Sequence, residues 1–336
     1  MSSPARQSRS PHRSRSIRVE STPRPAVSIV IPTHSEQRWD ALVRTVASAR
    51  SQTYAPAEIV IVVDHNPALF RRARRDLPGV TVLENLYAQG VSGNRNTGAF
   101  HTSTSLIAFL DDDTVACPEW LEYLVEPLVA DPAAVGAGGG INPAWAGAKP
   151  NWMPEEFLWA VGGSYAGMPT TTAPIRNVWS ASMIVRRHTF LSVGGFRTGF
   201  GKLGKQNRPE DTELCLRMSA LAGGHWMYVP GAVIRHEVPA SSATFGFFLR
   251  RCYAEGRGKV AMAGLLDGPA SLGSERDYLR SLPRAVFRNL AAATRGRGAH
   301  HALKAGGVLA GVAAAGVGGV VETVAARRTV TVGAAR

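Results

Sequence analysis

Short runs of β-branched residues alternate with stretches of helical period along the first third of the chain, and this alternation limits the fold more than any other feature. Residues 27–31 form one such run, closed by Pro32, with the length of a strand buried on both faces. The period then changes. Trp39, Leu42, Val43 and Val46 fall at i, i+3, i+4 and i+7, one stripe of an amphipathic helix. Residues 58–63 (EIVIVV) run into Asp64, and residues 80–83 (VTVL) follow a basic helical stretch around residues 71–75. Residues 93–102 read as the start of another helix, and residues 106–110 as a fourth strand leading directly into Asp111, Asp112 and Asp113. Such alternation implies an α/β fold, a mostly parallel sheet covered by helices on both faces, with ligands at the carboxyl ends of the strands. Asp64 and Asp111 both stand at such ends.

Beyond the acidic run, residues 131–165 read as loop, rich in small residues, with Trp145, Trp152 and Trp159 scattered through them. Aromatic residues on loops either stack on a sugar or pin the loop to the core, and both readings stay open. Residues 178–185 read as a strand, and residues 209–221 as a helix with Leu214, Met218 and Leu221 on one face. Residues 228–235 return to strand-like alternation, and residues 245–265 have the composition of a helix. Residues 305–321 are an uncharged run, mostly Gly, Ala and Val, between Lys304 and the pair Arg327 and Arg328. The run is at the short limit for a bilayer span, and its glycines weaken an isolated helix. A membrane-inserted or membrane-apposed segment, a docked helix and a disordered tail all remain open, with Gly307 and Gly311 as a small-residue packing motif.

With 336 residues, 45% of them hydrophobic and 19% charged, the chain can bury a sizeable core, which excludes wholesale disorder. The formal charge of +13 would suggest nucleic acid or an anionic membrane if it formed a patch, but much of it sits in the first 25 residues. That Ser-, Arg- and Pro-rich stretch has no apolar core and reads as a disordered basic tail, not a signal peptide. Nucleic acid is therefore not the expected partner. Cys117, Cys215 and Cys252 are far apart and lack metal-ligand spacing, so neither a disulfide framework nor a zinc site follows, and a cytoplasmic location fits best.

Side chains alternate at a strand exit, so Asp111 and Asp113 can project to one side while Asp112 points away. Two such carboxylates can hold a hard divalent cation that bridges a diphosphate, and the competing reading is a solvated acidic turn. The Asp64 carboxylate can accept hydrogen bonds from a nucleobase or ribose, or it simply forms a turn beside Asn66 and Pro67. GNRNTG at residues 93–98 puts Arg95 at an expected helix N-terminus, where amides and a guanidinium suit phosphate. Glu210 and Asp211 open an expected helix, either complementing its dipole or, for Asp211, acting as general base toward an acceptor hydroxyl. His236 ends a strand, as a metal ligand or as a polar strand end.

The order of these stretches carries more than any one of them. IVIPTHSE (29–36), VVDHN (62–66), GVSGNRNTG (90–98), IAFLDDDTVACPEWL (107–121), VGGFR (193–197), RPEDTELCLR (208–217) and VIRHE (233–237) together resemble the family 2 inverting glycosyltransferases of the GT-A fold, over about residues 27–237. The resemblance implies a GT-A-type, Rossmann-like, mostly parallel sheet flanked by helices, with a C-terminal helical extension. It implies a nucleotide-sugar donor contacted by Thr33, Asp64 and Arg95, with Asp112 on the ribose side and Asp111 completing the acidic motif. Asp113 would hold a divalent metal, Mn2+ or Mg2+, with His236 as a further ligand known in some relatives. Asp211 would be the catalytic base, with Glu210 beside it in the catalytic pair. Asn94 departs from the pattern, since relatives often carry Ala before the Arg-Asn pair.

By the same resemblance the metal offsets charge on the departing nucleoside diphosphate while Asp211 takes the acceptor proton from the opposite face, which inverts the anomeric centre. The Gln-x-x-Arg-Trp motif of processive members does not follow Asp211, so transfer of one or a few sugars is expected, to a saccharide, lipid-linked or small-molecule acceptor. Residues 247–259 lie where an acceptor could approach, and Arg250, Arg251 and Arg257 either meet a lipid diphosphate or anionic headgroups or form an ordinary basic helix face. The expected organisation is a basic tail (1–25), a GT-A-like domain (26–240), a helical acceptor-side extension (241–300) and a tail (301–336) that can bring the enzyme to the inner face of the cell membrane. Two rival readings are a sugar nucleotidyltransferase and a non-catalytic membrane or nucleic-acid adaptor. The first calls for a glycine-rich basic loop after the first strand, which PTHSEQRWD lacks, and the second leaves the acidic motifs unexplained.

Overall fold

The computed structural model describes residues 24–203, 206–265, 273–296 and 298–333, so the basic tail expected at residues 1–25 lies outside the described residues up to residue 23. The first half alternates as expected: β1 (Val27–Thr33), α1 (Trp39–Arg50), β2 (Glu58–Val63), α2 (Pro67–Asp76), β3 (Thr81–Glu84), α3 (Val91–His101) and β4 (Leu106–Leu110). There follow β5 (Thr114–Ala116), α4 (Trp120–Ala130), β6 (Ala134–Trp145), β7 (Ala173–Ile175), β8 (Ser182–Arg186) and α5 (Arg187–Ser192). A small ribbon of β9 (Gly201–Leu203) and β10 (Gln206–Arg208) precedes α6 (Glu210–Ala222) and β11 (His225–Val238). Three long helices end the described chain: α7 (Phe245–Leu265), α8 (Gly273–Thr294) and α9 (His300–Gly333).

The main sheet runs β3-β2-β1-β4-β8-β6-β11-β5, with β7 also paired to β11. Strands β3, β2, β1 and β4 are mutually parallel, β8 lies antiparallel between β4 and β6, and β6 and β11 pair in parallel. Alternation along the strands divides the core in two. Ile29, Ile31, Ile61, Val63, Leu106 and Leu110 face α1, α2 and α4 through Leu42, Leu69 and Trp120. Val30, Val60, Val62, Ile107 and Phe109 face the other way, toward Ala99 of α3, Phe190 of α5 and Leu214 of α6. Each strand is apolar on both faces because both faces are covered.

Two elements differ from the sequence expectation. The stretch read as loop holds β6, a twelve-residue strand. Glycine weakens a strand in isolation, yet here the missing side chains make room for neighbours: a Cβ at Gly136 would meet the Trp226 ring and one at Gly139 the Ala232 carbonyl. The strand expected from residue 178 begins only at Ser182, because the Ser182 amide donates back to the Trp179 carbonyl in a turn.

The three scattered tryptophans pin structure in place. Trp152 packs on Phe245 and Phe248 of α7, Trp159 donates to the Tyr278 hydroxyl of α8 at 3.0 Å, and Trp145 covers the same cluster. The C-terminal run is a helix docked on α7, not a disordered tail. A Cβ at Gly256 of α7 would meet the Ala315 carbonyl, one at Gly318 the Tyr253 carbonyl, and Gly311 lies against Phe157 and Phe248. Small residues thus let α7 and α9 approach backbone to backbone.

Candidate active site

The carboxyl ends of β1, β2 and β4 bring the acidic stretches to one end of the sheet. Asp64, directly after β2, is almost fully buried, and its carboxylate accepts from Asn85 Nδ2 at 2.7 Å and the Gly90 amide at 2.9 Å, with His65 Nδ1 at 2.8 Å. Gly90 caps α3 at φ 146°, a conformation that glycine tolerates and other residues rarely adopt. The Asp64 carboxylate is therefore a fixed wall rather than a mobile turn residue.

The three aspartates after β4 take three different partners. Asp112 is the most buried and accepts from Thr33 Oγ1 at 2.7 Å and Arg38 Nη1 at 2.8 Å. Arg38 also reaches Asp113 at 3.1 Å, and His236 Nε2 stands 3.5 Å from the other Asp113 oxygen. Asp111 accepts from Arg95 Nη2 at 2.7 Å. The alternation expected here is not observed: Asp112 and Asp113 converge on the same Arg38 nitrogen while Asp111 turns to Arg95, because β4 ends at Leu110 and the three aspartates lie in the turn beyond it. Burial pushes the Asp113 carboxyl up from the ordinary aspartate value, with Asp111 and Asp112 adding to the rise and His236 and Arg38 opposing it.

Arg95 corrects one expectation. It does not stand at the open N-terminus of a helix, because α3 begins at Val91 and places Arg95 in its second turn. Its buried guanidinium spans Asp111 and Glu210 Oε1, at 2.7 and 3.2 Å, and lies over the Phe196 ring. Burial works against that charge, but Asp111 and Glu210, with Asp211 behind them, outweigh it and raise its pKa.

Glu210 and Asp211 begin α6, where amide dipoles favour negative charge. Burial nevertheless pushes the Glu210 carboxyl up to about 7, with the Asp211 charge adding to the effect. The Asp211 carboxyl is raised as well, chiefly by burial, although the Thr212 amide donates to it at 2.8 Å. Lys259 and Glu255 of α7 are its electrostatic neighbours from the C-terminal side.

Asp113 and His236 fit a cation that takes its remaining ligands from substrate. The two residues ride on adjoining backbone: β5 pairs with β11 in a register that sets His236 opposite Thr114, and the Glu237 amide donates to the Asp113 carbonyl at 3.0 Å. His236 Nδ1 is buried and has no hydrogen-bond partner. Among the described residues no group of three or more His, Cys, Asp and Glu side chains forms a complete cage. One carboxylate and one imidazole suit Mn2+ or Mg2+ sites completed by phosphate oxygens.

Sequence reasoning missed Arg38, Asn85 and Gly90, whose partners lie 74, 21 and 26 residues away. Only the position of Arg38 just past β1 hinted at a role. Asn94, the departure from the family pattern, donates from Nδ2 to the Thr33 carbonyl at 3.2 Å and so ties α3 to the end of β1.

Comparison with known proteins shows the family and the fold. The family model for glycosyl transferase family 2 matches residues 28–193. Glucosyl-dolichyl phosphate glucuronosyltransferase of Haloferax volcanii is 33% identical over 260 residues, 76% of this chain and 82% of that protein. The mannosyltransferase PcManGT from Pyrobaculum calidifontis, solved with GDP-Man and Mn2+, is similar with a TM-score of 0.54 at 19% identity, over 88% of this chain and 87% of that one. GalNAc-T7 with UDP, GalNAc and Mn2+ gives a TM-score of 0.50 at 18% identity, over 78% of this chain and 55% of that one. The two solved structures share the fold, the Haloferax relative shares sequence along most of its length, and the chain belongs to glycosyl transferase family 2 as a glycosyltransferase.

Proposed function

We propose that this glycosyltransferase moves a sugar from a nucleoside-diphosphate sugar to a hydroxyl acceptor by a single, inverting displacement supported by a divalent cation. The observation that carries the reading is the meeting of Asp111, Asp113, Glu210, Asp211 and His236 around Arg95 and Arg38 at the carboxyl end of the sheet. More carboxylates gather there than permanent cations, and a divalent cation would offset the difference.

Asp64, held by Asn85 and Gly90, walls the nucleoside side, with Thr33 next to it, and Asp112 faces the ribose. Asp113 and His236 would hold Mn2+ or Mg2+, which when bound offsets the charge developing on the departing diphosphate. Manganese in the PcManGT and GalNAc-T7 structures supports that choice. Asp211 takes the acceptor proton as the acceptor oxygen bonds to the anomeric carbon, and the bond to the diphosphate breaks with its electrons leaving on that group. A carboxyl raised by burial is a stronger base than an exposed one. Burial raises Glu210 and Asp211 together, and Arg95 positions both Glu210 and Asp111.

Residues 26–240 hold this catalytic machinery on our reading, and the helices after residue 240 line the acceptor side, where Lys259 and Glu255 approach Asp211. The acceptor is a lipid-linked saccharide, a polysaccharide precursor or a small molecule. The lipid-linked class is supported by the name of the Haloferax relative. Transfer is non-processive and takes place on the cytoplasmic side. The test is a panel of nucleotide sugars with Mn2+ or Mg2+, following nucleoside diphosphate release by the native chain and Asp113→Ala. Metal-dependent release from one donor, lost in the variant, is the expected result; a chain that neither cleaves nor binds any donor overturns the proposal.

A further inference from the structure

Helix α9 reverses the usual arrangement of a surface helix. Its two charged side chains between residues 302 and 325 turn inward: Lys304 Nζ reaches Glu155 at 3.1 Å, and Glu322 accepts from Arg257 Nη2 at 2.6 Å. Its outward positions are apolar, among them Leu303, Leu309, Val312, Val317, Val320 and Val324. Every exposed residue from 302 to 325 is uncharged. That stripe is roughly 36 Å long at the ordinary helical rise, far beyond the scattered apolar residues of a soluble surface. Water is the wrong solvent for it.

We propose that this face of α9 docks on an anionic lipid bilayer, with the helix lying along the membrane interface rather than crossing it. The stretch His300–Arg327 is long and apolar enough to span, but its packing forbids that. Gly256 and Tyr253 of α7 meet α9 backbone to backbone, and the same part of α7 carries Arg250, Arg251, Glu255, Arg257 and Lys259. A spanning α9 would draw these charges into hydrocarbon, where an ionised side chain is costly. Lying flat, α9 buries only its outer face.

Charge complementarity names the lipid. Helix α8, packed on α9, exposes Phe287 (75%), Leu279 and Leu290 among Arg276, Arg280, Arg284 and Arg288; Arg280 pairs with Asp277 and Arg288 with Glu156, while among the described residues Arg276 and Arg284 have no acidic partner. Apolar residues set among arginines are the composition of a helix held by anionic headgroups. A second copy of the chain fits less well. Protein interfaces rely on aromatic or arginine anchors within a polar rim, and the α9 face is smooth Gly, Ala, Val and Leu with no side-chain hydrogen-bonding group. The inference does not depend on the catalytic proposal.

The test is flotation of the full chain with vesicles of phosphatidylcholine, with or without phosphatidylglycerol. Binding is expected to need phosphatidylglycerol, to weaken with salt, and to reverse in alkaline carbonate. Val317→Glu with Val320→Glu should lower vesicle binding by about tenfold or more, and Arg280→Gln with Arg284→Gln should remove most of the salt dependence. Phe287→Ser, at a side chain three-quarters exposed, should weaken binding in a folded protein. Resistance to carbonate would show a spanning helix and overturn the proposal. So would unchanged binding in both the valine and phenylalanine variants, or a dimer in light scattering with no affinity for either vesicle. Thermal unfolding and donor cleavage, measured on each variant, separate a lost surface from a lost fold.

Discussion

The end of the sheet and the C-terminal helices both bury acidic side chains, and they treat them in opposite ways. Among the helices each acid has its base: Glu275 meets Arg176 and Lys259 at 2.5 and 2.9 Å, Glu322 meets Arg257, Glu155 meets Lys149 and Lys304, and Glu156 meets Arg288. Burial works against Glu275, yet Arg176 and Lys259 bring its carboxyl down to about 2. At the sheet end Asp111, Asp112, Asp113, Glu210 and Asp211 share two arginines and one histidine, and there Asp113, Glu210 and Asp211 rise. Matched charge holds elements together. Unmatched negative charge costs stability and makes sense where a bound cation offsets it.

The sharpest way to break the comparison is to remove one acid from each region. Asp211→Asn should retain donor binding, measured by calorimetry, and lose about 10²–10⁴-fold in transfer rate. Equal loss of binding and transfer would make Asp211 structural, like its helix counterparts. Asp113→Ala should lose about 10²-fold in metal-stimulated diphosphate release. Its melting temperature should hold or rise, because a crowded charge is gone. Next in size is packing: Gly256→Leu drives a side chain into the Ala315 carbonyl and should destabilise the chain by about 1–3 kcal/mol in urea titration. Donor hydrolysis at low temperature should survive that change.

The smallest effects lie in pH, and their signs differ. Glu210 is raised from 4.5 to about 7, so its favourable contribution is complete below 4.5 and is lost as pH rises through about 7. Glu275 is lowered from 4.5 to about 2, so its contribution is present above 4.5 and is lost as pH falls through about 2. Denaturant titrations across pH should show Glu210→Gln flattening the neutral limb and Glu275→Gln the acid limb.

What was legible in the sequence was what local pattern dictates. The strand Leu106–Leu110 and the helix Phe245–Leu265 match their sequence readings residue for residue, because apolar runs and helical composition are local signals. Strand β6 was illegible, since its four glycines make sense only beside Trp226, Val178, Ala232 and Pro230, which come later in the chain. The acidic residues of the site were readable by type and order, but the partners of Asp111, Asp112 and Asp113 were not. Arg38 and Arg95 reach them across the fold, and nothing in the neighbouring sequence names the partner. The fate of α9 likewise turned on Gly311 and Gly318 finding α7, which a run of small residues announces only as a capacity to pack.

The backbone ladder joining β5 to β11 has a consequence for how such an enzyme diversifies. Asp113 and His236 are locked to each other by strand pairing, while Lys259 and Glu255 approach Asp211 from a helix that follows the last strand. On the proposed roles, exchange of the segments after Val238 changes what approaches Asp211 while Asp113 and His236 keep their spacing, so acceptor preference is open to redesign without disturbing the cation side.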